Sequence, residues 1–330
     1  MQHCDYPMEF MIKHIQNALH KEINLEKIRE ELGSGRNVKL RQFNGSLPTF
    51  LFYDLISEFE TILVLTEDHE RSAAVASDIE EMGAEGVYLF PPTRRKPYDQ
   101  QKIVDTSTMV QRSEVLEKIQ SGEARIVVAP IEAIFEKLVP PEQFSNASLT
   151  IEKGLQLSPD NLAELLTDQG YSTERFVGSP GEFAIRGGIF DIFPFSGEYP
   201  LRIEFFGDEI DTIREFDPDS QRSIAFLNHA RIVPNAAFST DESKESLFTY
   251  LPEQSLMVLE KADLFADIIE EFAEHAHEKY EELEGDDDDT SFNPPDAEFL
   301  TLKEWNSTLD NFPLLTTGSL NNSVDADLIV

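Results

Sequence analysis

Cysteine is almost absent from this chain of 330 residues. Cys4 stands alone, so neither an intrachain disulfide nor a cysteine-based metal cluster can form. Cations are scarce as well: 27 Lys and Arg face 63 Asp and Glu, a formal net charge of −36. A field of that sign repels nucleic-acid phosphates at long range and favours solubility, and it says nothing about fold. The acids are spread along the whole chain, which favours a surface suited to a salt-rich cytoplasm over one dedicated basic partner. Long apolar runs are missing too. No segment approaches the length of a bilayer span, and in "MQHCDYPMEFMIKHIQNALHKE" polar residues break every apolar run, unlike a signal peptide. A soluble, cytoplasmic protein without a membrane partner is expected. No repeat of solenoid period occurs.

What is present divides the chain into three. Hydrophobic residues make up 40%, ample for buried cores, and the length suits two or three compact units. Residues 1–150 alternate short apolar runs ("TILVLT", "GVYLFPP", "ARIVVAP") with helix-spaced segments over 67–83 and 106–120. Strand, helix, strand in repetition predicts an open parallel α/β sheet. Residues 151–234 begin with a punctuated helix, Ser158 as cap, Pro159 in the first turn and Gly170 at the end. Strand-like segments follow, with Gly207-Asp208 as a hairpin turn signal, so a β-rich unit of about 80 residues is expected. Residues 235–330 return to α/β character: "SLMVLEKADLF" has a buried-strand core, Leu256 to Leu259, and "ADIIEEFAEHAHEKYEELE" reads as a long acidic helix. The stretch "EGDDDDTSFNPPD" reads as a loop, because four successive Asp repel one another and Pro294-Pro295 argues against a helix.

Candidate sites divide just as clearly. Gly45, Ser46, Leu47, Pro48 and Thr49 lie where a phosphate-binding loop would precede a helix, with Leu47-Pro48 in place of Gly-Lys. Pro48 has neither an ammonium group nor a backbone N–H, the two things a phosphate cradle uses there. The acidic pair that would hold Mg²⁺ and water is replaced by Glu260-Lys261. A degenerate nucleotide loop, kept as a strand-to-helix connection, is the expectation. His275 and His277 stand two apart on a helix, on different faces, and no metal site is expected. The basic segment "TRRKPYDQQK" (residues 93–102) is a candidate nucleic-acid contact, although three clustered cations are common on ordinary surfaces and the global field opposes binding.

The middle unit carries Arg175, Arg186, Phe190, Arg202 and Arg214 among apolar strands, the residue types of interface hot spots. Phe190, Phe193, Phe205 and Phe206 also read as core. Here the residues resemble a family. "RGG-x-x-D-I-F-P", "R-I-E-F-F-G-D-E-I" and "F-D-P-x-[ST]-Q-R-S", within residues 180–224, together resemble the inserted domain shared by the excision-repair protein UvrB and the transcription-repair coupling factors. Ala184 and Gly188 replace the arginine and aspartate of UvrB, and residues 91–122 run on without UvrB's aromatic hairpin, resembling the coupling factors' "FP…PY…R…L" pattern.

The resemblance implies a UvrB-like module at the N-terminus of a longer protein. Its fold would be a degenerate RecA/helicase-like α/β unit, split between residues 1–150 and 235–330, with a β-rich α+β UvrA-binding domain inserted between. Such a module would have no catalytic residues and no cofactor of its own. ATP and Mg²⁺ would belong to absent motor domains, and RNA polymerase and duplex DNA would be met by other absent domains. Its partner would be UvrA. The family's UvrA-contacting positions match Arg186 and Phe190; a further family arginine falls at Thr173, with Arg175 two residues on. The alternative is a UvrB-like, nucleotide-dependent repair helicase.

Overall fold

The computed structural model describes residues 8–41, 45–93, 96–98, 106–236, 243–284, 292–317 and 328–329. Strands β1 (Val38–Leu40), β2 (Thr61–Thr66), β3 (Val87–Leu89) and β4 (Ile126–Pro130) come from the first part of the chain. β5 (Leu149–Glu152) follows, then β6 (Ser172–Thr173), β7 (Glu182–Arg186), β8 (Ile189–Phe193), β9 (Leu201–Phe206), β10 (Glu209–Phe216), β11 (Ser223–Leu227) and β12 (His229–Ile232). The last three are β13 (Ser255–Glu260), β14 (Leu314–Thr317) and β15 (Leu328–Ile329).

Seven of these strands form one parallel sheet in the order β15-β1-β14-β13-β2-β4-β3. Chain segments more than a hundred residues apart are thus immediate neighbours: Val64 of β2 pairs with Val258 of β13. The strands are apolar without interruption because both faces are covered. Leu63, Leu65, Val127, Met257 and Leu259 join one core, while Ile62, Val64, Val128, Leu256 and Val258 join the other. Helix His69–Glu81 is capped by Asp68, whose side chain accepts from the Arg71 amide, and the chain leaves it at Gly83 with φ +90°.

The middle of the chain builds a six-stranded sheet, β11-β10-β9-β8-β7-β6, antiparallel except for the short β6–β7 pair. It is joined to the parallel sheet through a neck. There β5, on the way out, pairs antiparallel with β12, on the way back. Inside the neck the Tyr171 hydroxyl donates to Val233 O (2.8 Å) and accepts from Phe195 N (3.2 Å). One face of the inserted sheet, with Phe183, Phe190, Ile192, Ile203 and Ile213, continues the core of the parallel sheet.

Two readings of local structure need correction. Pro295 opens a short helix, Pro295–Glu298, rather than excluding one; the first helical turn needs no proline N–H, so the ring is tolerated there. Phe206 is 82% exposed, not core. It is the last residue of β9, paired with Glu209 across the Gly207-Asp208 turn, where the sheet runs out of neighbours. The four-aspartate run lies outside the described residues.

Candidate functional site

Strand β1 precedes helix Leu47–Leu55, and of the residues between them 41, 45 and 46 are described. Gly45 is at φ +66°, and Ser46 precedes the helix without a side-chain cap. Pro48 and Thr49 are buried in the first turn, and Leu47 is exposed. Arg71 Nη2 donates to Gly45 O at 3.0 Å. The same guanidinium forks onto Glu260, Nε to Oε2 and Nη2 to Oε1, each 2.7 Å. Donation to the Glu260 carboxylate holds the Arg71 pKa above its ordinary value against the opposing effect of burial. Lys261, at φ +57°, pairs with Glu67. Arg71 and Glu260 are thus committed to each other, with Gly45 O as the third partner.

Arg112 explains the arginine of the "FP…PY…R…L" pattern. It is 2% exposed, stacks 4.2 Å over the Phe90 ring, and donates from Nη1 to Pro91 O (2.9 Å) and Ala133 O (3.1 Å). Burial lowers its pKa to about 10, with Glu136 opposing. It is a clamp between two loops of the parallel sheet. Arg94, Arg95 and residues 99–102 of the basic segment lie outside the described residues. His277 Nε2 meets Asp296 Oδ1 at 3.1 Å, and among the described residues no group of three His, Cys, Asp or Glu could hold a metal. No helix among them is long and apolar enough to cross a membrane.

The outer face of the inserted sheet holds the other candidates. Strand pairing fixes one row across it: Phe226 opposite Arg214, Arg214 opposite Arg202, Arg202 opposite Asp191, Asp191 opposite Ala184. Asp191 is 1% exposed and is shared by two guanidinia. Arg202 forks onto it, Nε to Oδ1 at 2.7 Å and Nη2 to Oδ2 at 2.9 Å, and Arg186 donates to Oδ2 from the side. Arg202 also reaches Gln221 (2.6 Å) and stacks over Phe216 (4.1 Å). The three segments of the sequence pattern therefore meet in one network: Arg186 and Asp191 from the first, Arg202 from the second, Phe216 and Gln221 from the third. Two guanidinia on one carboxylate leave a net positive charge on a strongly acidic chain.

Arg186 is half-buried at the last rung of the β7–β8 hairpin, opposite Ile189, and open space lies over Gly187 (φ +64°). Phe190 differs from expectation. It is fully buried, stacked 5.5 Å from Phe183 and tilted against Phe205 at 6.3 Å. Successive strand residues point to opposite faces, and Phe190, beside outward Ile189 and Asp191, points into the core. Phe190 is a structural support for the strand and offers no surface to a partner. The exposed aromatic near Arg186 is Phe176, 55% exposed, with the Arg186 guanidinium 4.6 Å and that of Arg175 5.7 Å from its ring centre. Phe176 was missed in the sequence. The signal is its neighbour Val177, 3% exposed and packed with Ala184, Phe193 and Phe216, which turns Phe176 outward.

Comparison with known proteins adds a family to this geometry. Residues 149–238 match the UvrB interaction domain, a span opening at β5 and closing just beyond β12. The chain is 33% identical over 252 residues to the transcription-repair-coupling factor of Bacillus subtilis, covering 76% of this chain and 20% of that protein. This chain is a UvrB-homology module of the coupling-factor type. Coupling factors of Haemophilus influenzae (32% over 190 residues) and Escherichia coli (28% over 191 residues) cover 56% and 57% of the module and 16% of their own length. The module spans a fifth or less of these relatives.

Proposed function

We propose that the module recruits UvrA, and that it does so as the N-terminal part of a transcription-repair coupling factor acting in transcription-coupled nucleotide excision repair. The observation that carries this reading is the match of residues 149–238 to the UvrB interaction domain, on a sheet whose outer face gathers Arg175, Arg186 and Phe176. Arginines and aromatics on a rigid sheet suit a hot spot, and Arg186 can fork onto a partner carboxylate in addition to Asp191. Within this reading the module is not an enzyme and binds no cofactor. The Arg71–Glu260 pair and Pro48 support a loop retained as scaffold. ATP-driven translocation on duplex DNA and contact with RNA polymerase belong to the rest of the longer protein, and the setting is the cytoplasm.

The test is direct binding of the purified module to cognate UvrA by titration calorimetry. Saturable binding with micromolar or tighter affinity is expected; absence of binding removes the reading. The alternative, a UvrB-like helicase module, predicts Mg-ATP binding by the chain instead.

A further inference from the structure

We propose that Phe176 is the aromatic anchor of the UvrA contact, working as one unit with Arg175 and Arg186; this rests on the recruitment reading above. The ring is the only aromatic that the described structure places beside both arginines, and more than half of it is in water. Its backbone is held: the following residue, Val177, is buried with Ala184, Phe193 and Phe216, and Glu182 accepts from the amides of Gly178 (2.7 Å) and Ser179 (2.9 Å). An exposed ring on a fixed backbone costs little ordering on binding.

Arg186 beside it is aimed rather than loose. Asp191, buried under the face, anchors Arg202 through two hydrogen bonds and Arg186 through one. Arg186 thus lies between a buried carboxylate and an exposed ring. Arg175, directly preceding Phe176, reaches the same ring from its own chain segment. The ring gathers cations that the sequence places eleven residues apart (175 and 186). The surface this fits is acidic, with a carboxylate for the guanidinia next to an apolar recess for the ring.

Titration of cognate UvrA into the wild-type chain, Phe176→Ala and Phe176→Tyr, with thermal midpoints for all three, tests the inference. Phe176→Ala is expected to weaken binding about tenfold (about 1.4 kcal/mol), Phe176→Tyr to stay within about twofold of wild type, and the midpoints to coincide because the ring is exposed. Wild-type affinity in Phe176→Ala overturns the anchor while leaving recruitment standing, as does an equal loss in Phe176→Tyr. If the wild-type chain fails to bind UvrA, the recruitment reading falls, and the anchor with it.

Discussion

Arg71 and Glu260 face each other across the end of the parallel sheet in two parallel hydrogen bonds of 2.7 Å, with Arg71 also bound to Gly45 O. The contact ties helix His69–Glu81 to the end of β13 and to Gly45. Its polarity is that of a satisfied ion pair: the Arg71 donors are already taken by Glu260 and Gly45 O.

The first prediction follows from that polarity. Calorimetric titration of the chain with Mg-ATP should give a flat trace. Saturable micromolar heat would show that the loop can still rearrange into a cradle.

The same pair should matter for stability. The Glu260 side chain is 8% exposed and that of Arg71 23%, so Glu260→Ala strands a half-buried cation and should cost about 2–3 kcal/mol in urea unfolding. Replacing both residues with apolar ones should recover part of that loss. A double variant as weak as the sum of the two single variants would mean the residues act separately.

Arg112 gives a third expectation. Arg112→Leu leaves the carbonyls of Pro91 and Ala133 without their buried donor and removes the stack on Phe90. A loss of about 2–4 kcal/mol in unfolding free energy is expected. Unchanged stability would remove the clamp role.

With a formal charge of −36, the chain should bind duplex DNA no better than nonspecifically at physiological salt. Gel shifts on intact and damaged duplex, run at several salt concentrations, check this. A tight, damage-dependent shift would contradict it.

The parts of this structure legible in the sequence are those set by local periodicity and chain breaks. Continuous apolar runs such as Thr61–Thr66 read as strands covered on both faces, and Ser158, Pro159 and Gly170 marked both ends of one helix. Proline position was harder: Pro295 begins a helix because the first turn leaves its N–H unneeded. The site was half legible. Arg186 and Arg175 stood out by type, but whether a phenylalanine faces core or water depends on strand phase, set by pairing with residues far away. That phase turns Phe190 inward, while Phe176 lies outside the strands, in the bend between β6 and β7. The sharing of Asp191 by Arg186 and Arg202 is likewise a matter of register between β7, β8 and β9, which no single segment encodes.

The central claim is that this face, through Arg186, holds UvrA. Truncation to alanine leaves Asp191 still forked by Arg202, so the fold should lose little, with the thermal midpoint within about 3 °C of wild type. Binding of cognate UvrA to Arg186→Ala should nevertheless weaken by about thirtyfold or more, about 2 kcal/mol, mainly through faster dissociation. A lowered midpoint with unaltered UvrA affinity would show instead that Arg186 serves only its own sheet.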